Sequence, residues 1–379
     1  MTTQAAQSWL PYGRQSVEQE DIDAVAEVLR GDWLTTGPAV ESFEEALAQA
    51  VGAPCVSVTS GTAALHVAYA GLGAGPGSEV VTSPFTFIAT ASSAALLGAT
   101  VRFADVSDDT LNLDPQAAAA LAGERTSVIA AVDYAGHPAD LDELRSVADS
   151  VGARLLEDAA HSIGARYKGR PVGSVADATC FSFFPTKHMT TAEGGAVAAP
   201  DPAVLQAARR FARIGRDPQP QDTSQGAWWY EMSGFGLNYR LPDVLCALGA
   251  AQLRRLPAFL ARRDELVARY DQLLSGVPGL RLPTRRADVE PAWHLYSVRV
   301  LDGRRREVFD RLRAAGIGVQ VNYIPVYWHP VFADLGYRRG MCPVAEAAYA
   351  EQLSLPLFPD MTDADQDRVV EALRGVLDP

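Results

Sequence analysis

Short apolar runs and longer amphipathic stretches alternate between Cys55 and Phe183 in this chain of 379 residues. Strands are expected at 55–59, 79–82, 101–104, 128–132, 154–157 and 179–183. Helices are expected at 63–72, 88–97 and 141–151. A strand followed by a helix and another strand brings the chain back parallel to its start, so the pattern specifies an α/β domain around a mostly parallel sheet. In such sheets ligands bind beyond the carboxyl ends of the strands, which makes the residues just after each strand the first candidates for function.

Two helices precede the sheet. Ser16-Val17-Glu18-Gln19 reads as a capping box, with Ile22, Val25 and Leu29 at helical spacing behind it and Gly31 closing the helix. A loop over 32–37 leads to Pro38 and a second helix with Val40, Phe43, Leu47 and Val51 on one face. After Pro242 a long helical stretch reaches about Leu274. A strand at 294–301, a helix at 306–315 and a closing helix after Asp363 follow. The expected organisation is a large domain over 1–250 and a smaller C-terminal α/β domain over 251–379.

Composition narrows the function. Thirty-three basic and 46 acidic residues give a net charge of −13, which argues against a nucleic-acid or anionic-membrane partner. The start, Met1 to Leu10, carries no basic segment running into an apolar core, and no uninterrupted apolar run approaches the roughly 18 residues of a membrane span, so a cytoplasmic protein is expected. Cys55, Cys180, Cys246 and Cys342 stand far apart, without a C-x-x-C pair, and read as buried inert thiols. The six histidines show no metal-ligand spacing, so no metal is expected. Arg262-Arg263 and Arg304-Arg305-Arg306 read as solvated faces.

Only two of the 33 basic residues are lysines, Lys168 and Lys187. A high-GC genome, such as that of an antibiotic-producing bacterium, explains the arginine bias but not these two exceptions. Arginine cannot replace a lysine that must lose its proton and attack a carbonyl. Lys168 falls in a surface turn with Gly169, whereas Lys187 follows a strand in Phe183-Phe184-Pro185-Thr186-Lys187-His188. Three more features fall at strand ends. Ser60-Gly61-Thr62 opens a helix, which suits either an anion cradle or a plain N-cap. Glu157 and Asp158 project to opposite faces of their strand, and one carboxylate there could pair with a protonated ring nitrogen or cap a helix. His161, in Glu157-Asp158-Ala159-Ala160-His161, is a group to stack on or bond a ring, or an ordinary polar neighbour. Anion cradle, ring-nitrogen carboxylate and amine occur in the order that pyridoxal phosphate (PLP) chemistry requires.

Those segments, together with Tyr12-Gly13-Arg14-Gln15, Trp33-Leu34-Thr35-Thr36-Gly37-Pro38, Glu193-Gly194-Gly195, Asn238-Tyr239-Arg240-Leu241 and Leu353-Ser354-Leu355-Pro356, resemble the DegT/DnrJ/EryC1/StrS family of sugar aminotransferases nearly end to end. The resemblance implies the PLP-dependent transferase fold type I, like that of aspartate aminotransferase. It is nearest to nucleotide-sugar C4-aminotransferases of the pseudaminic-acid type. It implies that Lys187 carries PLP and moves the proton, that Asp158 faces the ring nitrogen, and that His161 lies near the ring hydroxyl. Phe87 would stack on the ring, and Ser60, Gly61, Thr62 and Ser182 would hold the phosphate. Asn238 would reach the neighbouring subunit's cofactor in a homodimer. Tyr12, Trp33, Arg240 and Tyr323 would line the substrate cleft. The implied reaction moves the amine of L-glutamate through the pyridoxamine form (PMP) to C4 of a nucleotide-linked 4-keto-6-deoxyhexose. Amination at C3, a keto-cyclitol acceptor, elimination and cofactor binding without turnover are the alternatives. Phe184, Ala192 and Asn322 depart from the family's common His, Gly and His.

Overall fold

The computed structural model describes residues 9–217, 222, 224 and 226–377. Most of the N-terminal stretch read for an export segment, residues 1–8, lies outside the described residues.

The main sheet starts with β1 (Cys55–Val58), β2 (Glu79–Thr82), β3 (Thr100–Phe103), β4 (Thr126–Val132) and β5 (Arg154–Asp158). A hairpin of β6 (Arg166–Tyr167) and β7 (Arg170–Pro171) interrupts the series, turning at Lys168 and Gly169, both at positive φ. β8 (Ala178–Ser182) and β9 (Gly195–Ala198) complete it. The order across the sheet is β1-β9-β8-β5-β4-β2-β3, and every neighbouring pair is parallel except the two made by β9. A parallel sheet is buried on both faces, and here Val80, Val128 and Leu156 enter one apolar cluster while Val81, Ile129 and Leu155 enter another on the far side. The second unit is built on a three-stranded antiparallel sheet of β10 (Leu280–Arg281), β12 (Tyr296–Val300) and β13 (Gln352–Leu355). The remaining strand, β11 (Val289–Glu290), pairs with β6. The mostly parallel large sheet and the smaller α/β unit are those expected from the sequence. The antiparallel β9 was not foreseen, because Gly-Ala-Val-Ala is too small and short to read as a strand.

Helix α1 (Gln19–Arg30) begins two residues later than the Ser16 box suggests. Glu18 is the N-cap and Asp21 the reciprocal partner, its Oδ2 accepting from the Glu18 N–H at 2.9 Å. Asp21 wins because it is fully buried and also accepts from Gln252 Nε2 at 2.9 Å and Arg255 Nη1 at 2.7 Å. Of the residues at helical spacing, Ile22 and Leu29 are exposed and Val25 is half-buried. Helix α2 (Pro38–Val51) buries Val40, Phe43, Leu47 and Val51 as the spacing indicates. Its cap comes from afar: Asp243 accepts from Gly37 N at 2.8 Å and from Ala39 N at 3.0 Å.

Asp243 opens a 32-residue helix, Asp243–Leu274, which crosses position 250. Its Leu256 packs with Phe43 beside the main sheet, and its Leu266, Tyr270 and Leu274 pack with β12 and β13. By length and composition this helix could cross a membrane. Two of its arginines, Arg254 and Arg255, break the apolar run and pair with Glu20 and Asp21, which fits a packed core helix. Arg263, expected on a solvated face, is instead among the most buried side chains, because its Nη1 donates to the carbonyls of Trp293, His294 and Leu357. All four cysteines are buried and free.

Breaking a buried ion pair leaves the partner uncompensated. Asp21→Ala is therefore expected to destabilise the protein by about 3 kcal/mol, read as a lower urea midpoint at unchanged m-value.

Candidate active site

Parallel strands release their last residues at one edge of the sheet, so Asp158, Ser182 and the Ser60-Gly61 turn after β1 emerge together. Asp158 is buried there. Its Oδ2 accepts from Thr90 Oγ1 at 2.6 Å and its Oδ1 from the Ala160 N–H at 3.2 Å. Burial raises its pKa, against the opposing pull of those two bonds and of the Lys187 charge. A hydroxyl has one proton, so with Thr90 donating to Asp158, Thr86 Oγ1 donates to Thr90 Oγ1 at 2.8 Å. Glu157 points to the other face, where Oε2 accepts from Thr179 Oγ1 at 2.9 Å. Burial raises the Glu157 pKa, and the charge of Asp133 raises it further. Asp133 itself is pushed up to about 7, first by burial.

Lys187 lies in the turn after β8, its N–H donating to Phe184 O at 2.9 Å. The residue as a whole is half-buried, but its amine is desolvated, which lowers its pKa to about 8 against the raising effect of Asp158. His161 is buried with Nε2 at 3.0 Å from the Tyr323 hydroxyl and with Nδ1 lacking a partner. Desolvation, then the charges of Lys187 and His188, hold its pKa well below the usual imidazole value. Phe87 is exposed, its ring 6.1 Å from that of Tyr323. Burial raises the Tyr12 phenol, and the opposing hydrogen bond with Thr186 places Tyr12 beside the residue before Lys187.

Ser60 is the N-cap of the helix Gly61–Gly71, accepting from Ala63 N at 3.0 Å, so its side chain is already used. The first N–H groups of a helix have no intrahelical partner, which leaves those of Gly61 and Thr62 as donors. A Cβ on Gly61 would stand 2.7 Å from Ser182 Cβ, so only glycine lets the two turns approach this closely. Asp158, Lys187, His161, Tyr323, Phe87, Tyr12, Ser182 and the Ser60-Gly61-Thr62 turn thus share one edge. Trp33 and Asn238 are exposed and make no described contact with that group. Arg240 follows Tyr239, whose carbonyl accepts from Thr59 N at 2.9 Å. It lines a separate cavity of about 710 Å³ with Arg209, Arg210, Arg213 and Arg216. Sequence reasoning missed Thr86 and Thr90, which stand at i, i+4 spacing around Phe87, and gave His294 no role. Ala192 adopts φ 67°, which accounts for the glycine common at that position. Asn322 is buried, its N–H bonded to Gln352 Oε1 at 2.8 Å and its Oδ1 without a partner. Among the described residues no cluster of three or more His, Cys, Asp or Glu is placed to hold a metal.

A mostly parallel sheet that ends on a buried carboxylate and a desolvated lysine, beside an open helix N-terminus, defines a pyridoxal-phosphate transferase of fold type I. The profile of the DegT/DnrJ/EryC1/StrS aminotransferase family matches residues 15–374. The spore coat polysaccharide biosynthesis protein SpsC of Bacillus subtilis is 39% identical over 378 residues, spanning 97% of this chain and 97% of SpsC. Among solved structures, Helicobacter pylori PseC, an aminotransferase involved in the biosynthesis of pseudoaminic acid, superposes with a TM-score of 0.92 at 28% identity, covering 98% of this chain and 99% of PseC. A Streptococcus pneumoniae protein assigned as a sugar aminotransferase, solved in PMP and PLP forms, gives 0.91 at 29% identity over 97% of this chain and 98% of its own. The chain belongs to the DegT/DnrJ/EryC1/StrS family and is a PLP-dependent sugar aminotransferase.

Thr90→Val removes the donor that stabilises ionised Asp158. A hydrogen bond to a charged group is worth roughly 1.5–3 kcal/mol, so the Asp158 pKa is expected to rise further by about one to two units. Infrared titration of the carboxyl stretch, with Asp158→Asn as the assignment control, checks the shift.

Proposed function

We propose that this enzyme transfers the amine of L-glutamate to C4 of a nucleotide-linked 4-keto-6-deoxyhexose, with Lys187 as the amine that carries the cofactor. The observation that carries the reading is the pairing of desolvated Lys187 with buried Asp158 at one sheet edge. The residues fit PLP. Asp158 is a buried carboxylate that accepts from Thr90 and Ala160 and pairs with no arginine among the described residues, suited to a protonated ring nitrogen. His161 holds an unpartnered buried nitrogen, and Gly61 keeps the cradle open against Ser182. When bound, the cofactor supplies an electrophilic carbon and an electron-accepting ring.

The chain's own groups do the rest. With its pKa lowered to about 8, Lys187 Nζ has a neutral fraction near neutral pH that an ordinary lysine lacks, so it can take a proton from the amino-bearing carbon and return it. Thr90 and Ala160 favour the charged form of Asp158, which would pair with the ring-nitrogen proton. His161, oriented by Tyr323, serves the ring hydroxyl, and Phe87 covers the ring face. Gly61 and Thr62 N–H groups, with Ser182, take the phosphate while Ser60 fixes the turn.

Tyr12 and Tyr323 line the substrate side. Trp33, Asn238 and Arg240 are assigned to the substrate and to the neighbouring copy, in a homodimer that covers the outward-facing Ile22 and Leu29 together with exposed Trp228 and Phe235. Residues 1–250 form the cofactor domain and 251–379 the smaller one. The motif resemblance supports an enzyme of deoxyaminosugar formation, the composition a cytoplasmic one, and the lysine-poor usage an antibiotic-producing type of bacterium. The C4 assignment rests on the motif resemblance to the pseudaminic-acid type, and the fold likeness to PseC, an aminotransferase involved in pseudoaminic acid biosynthesis, fits that type.

Borohydride reduction of the loaded protein followed by peptide mapping is expected to modify Lys187 and leave Lys168 free. An unmodified Lys187 overturns the assignment. Lys187→Ala is expected to lower kcat by at least roughly a thousandfold. Incubation of UDP-, TDP- and GDP-linked keto sugars with glutamate, read by NMR, should place nitrogen at C4, and nitrogen at C3 would favour the alternative.

A further inference from the structure

Three imidazoles lie in a row beside Lys187, and the reaction as read above uses only the first. The ring of His161 lies 4.3 Å from that of His294 at an interplanar angle of 37°, and His188 stands 5.6 Å beyond. All three are buried, each with an Nδ1 that has no partner. A run of stacked cations in a dry space is prohibitively costly. Desolvation first, then the charges of their neighbours, hold each of the three well below the usual imidazole range.

The row is anchored from the second unit. Arg263 Nη1 donates to the carbonyls of Trp293 and His294 at 3.3 and 3.4 Å and to that of Leu357 at 3.1 Å. The His294 N–H donates to Ala135 O at 2.9 Å and the Ala292 N–H to Gly136 O at 3.0 Å. His188, the residue after Lys187, has Nε2 at 3.0 Å from Ala292 O, which makes Nε2 its N–H. Segment 292–294 therefore holds the neighbour of Lys187 by a hydrogen bond and His161 by a ring contact. A guanidinium buried without a carboxylate is expensive, and Arg263 spends all its described hydrogen bonds fixing this region.

We propose that His294 is a positioning residue of the amine site: its ring, fixed by the Arg263 clasp, is the floor that sets the plane of His161 and keeps water away from the Lys187 nitrogen. The role belongs to the aromatic ring and not to a proton on it. The groups facing Lys187 are Asp158, His161, His188 and His294, with Tyr12 reached through Thr186 and Tyr323 through His161. Only Asp158 among them is a carboxylate, the one group whose charge raises the Lys187 pKa, so water exclusion by the rings is what opposes it. The proposal rests on the reading of Lys187 as the cofactor-carrying amine, but its test does not need the cofactor.

The chain has only two lysines, so amine labelling of the cofactor-free full chain, read by mass spectrometry against pH, resolves each one. Lys187 is expected to reach half-maximal labelling near pH 8. Lys168, held protonated by Tyr167 and Asp142, labels only at higher pH and serves as the control. His294→Ala should move the Lys187 midpoint up by about one unit as water enters, while His294→Phe, which keeps a ring, should leave it in place. An unchanged midpoint in folded His294→Ala, or an equal shift in His294→Phe, overturns the proposal. A readout independent of substitution is C2-proton exchange of the histidines in the unaltered chain. His161, His188 and His294 should exchange at least roughly tenfold more slowly than His329, given their desolvation. Equal rates overturn the proposal as well. A failure of borohydride to mark Lys187 would count against the cofactor assignment while leaving this titration intact, so the two failures are distinguishable.

Discussion

The site depends on keeping one carboxylate charged where water has been removed. Burial pushes Asp158 toward its neutral form and Lys187 toward its neutral form, so the same desolvation acts on both. Thr90 and the Ala160 N–H supply hydrogen bonds that only the anion rewards. Asp133 and Glu157, one strand apart on the other side, show what happens when two buried carboxylates face each other, even though Asp133 accepts from Ser162 Oγ at 2.6 Å and from Ala139 N at 2.9 Å. Each is raised, Asp133 to about 7, and each raises or is raised by the other, so the pair favours holding a proton between them. The difference lies in which face of β5 a side chain occupies, and alternation along the strand decides that.

Much of this was legible in the residues. The parallel core was readable because β2, β4, β5 and β8 are short, β-branched or leucine-rich runs between helical stretches, and helix 141–151 was placed to the residue. Lys187 was legible for a compositional reason, since a lysine among arginines needs a chemical cause. The failures have physical reasons as well. Ser16 looked like a cap, but propensity gave way to the burial of Asp21 against Arg255 and Gln252. Arg263 looked solvated because sequence carries no sign of three carbonyls converging from residues 293, 294 and 357. Thr90 was hidden because a threonine near a strand end has many uses, and only the fold brings it to Asp158. Exposed Ile22 and Leu29 on α1 show that helical spacing reports an apolar face without saying what covers it.

The smaller unit contributes to the site by position more than by chemistry. Asn322, whose carbonyl accepts from Tyr134 Oη at 2.6 Å, delivers Tyr323 to His161, and segment 292–294 delivers His294. Residues from the two sequence halves therefore meet at the edge where the parallel strands end. The edge itself supplies the anion, the amine and the open helix terminus.

The 32-residue helix that starts at Asp243 gives its first half to one apolar cluster and its second half to another. A rod of that kind transmits loss of order in both directions. Loosening the C-terminal cluster would release Arg263, and with it the carbonyls of 293 and 294. Loosening the N-terminal end would free Asp243 from Gly37 and Ala39 and unravel the start of α2. Heat should therefore meet a single cooperative unit, and the catalytic edge should disappear in the same transition as the packing that lies farthest from it.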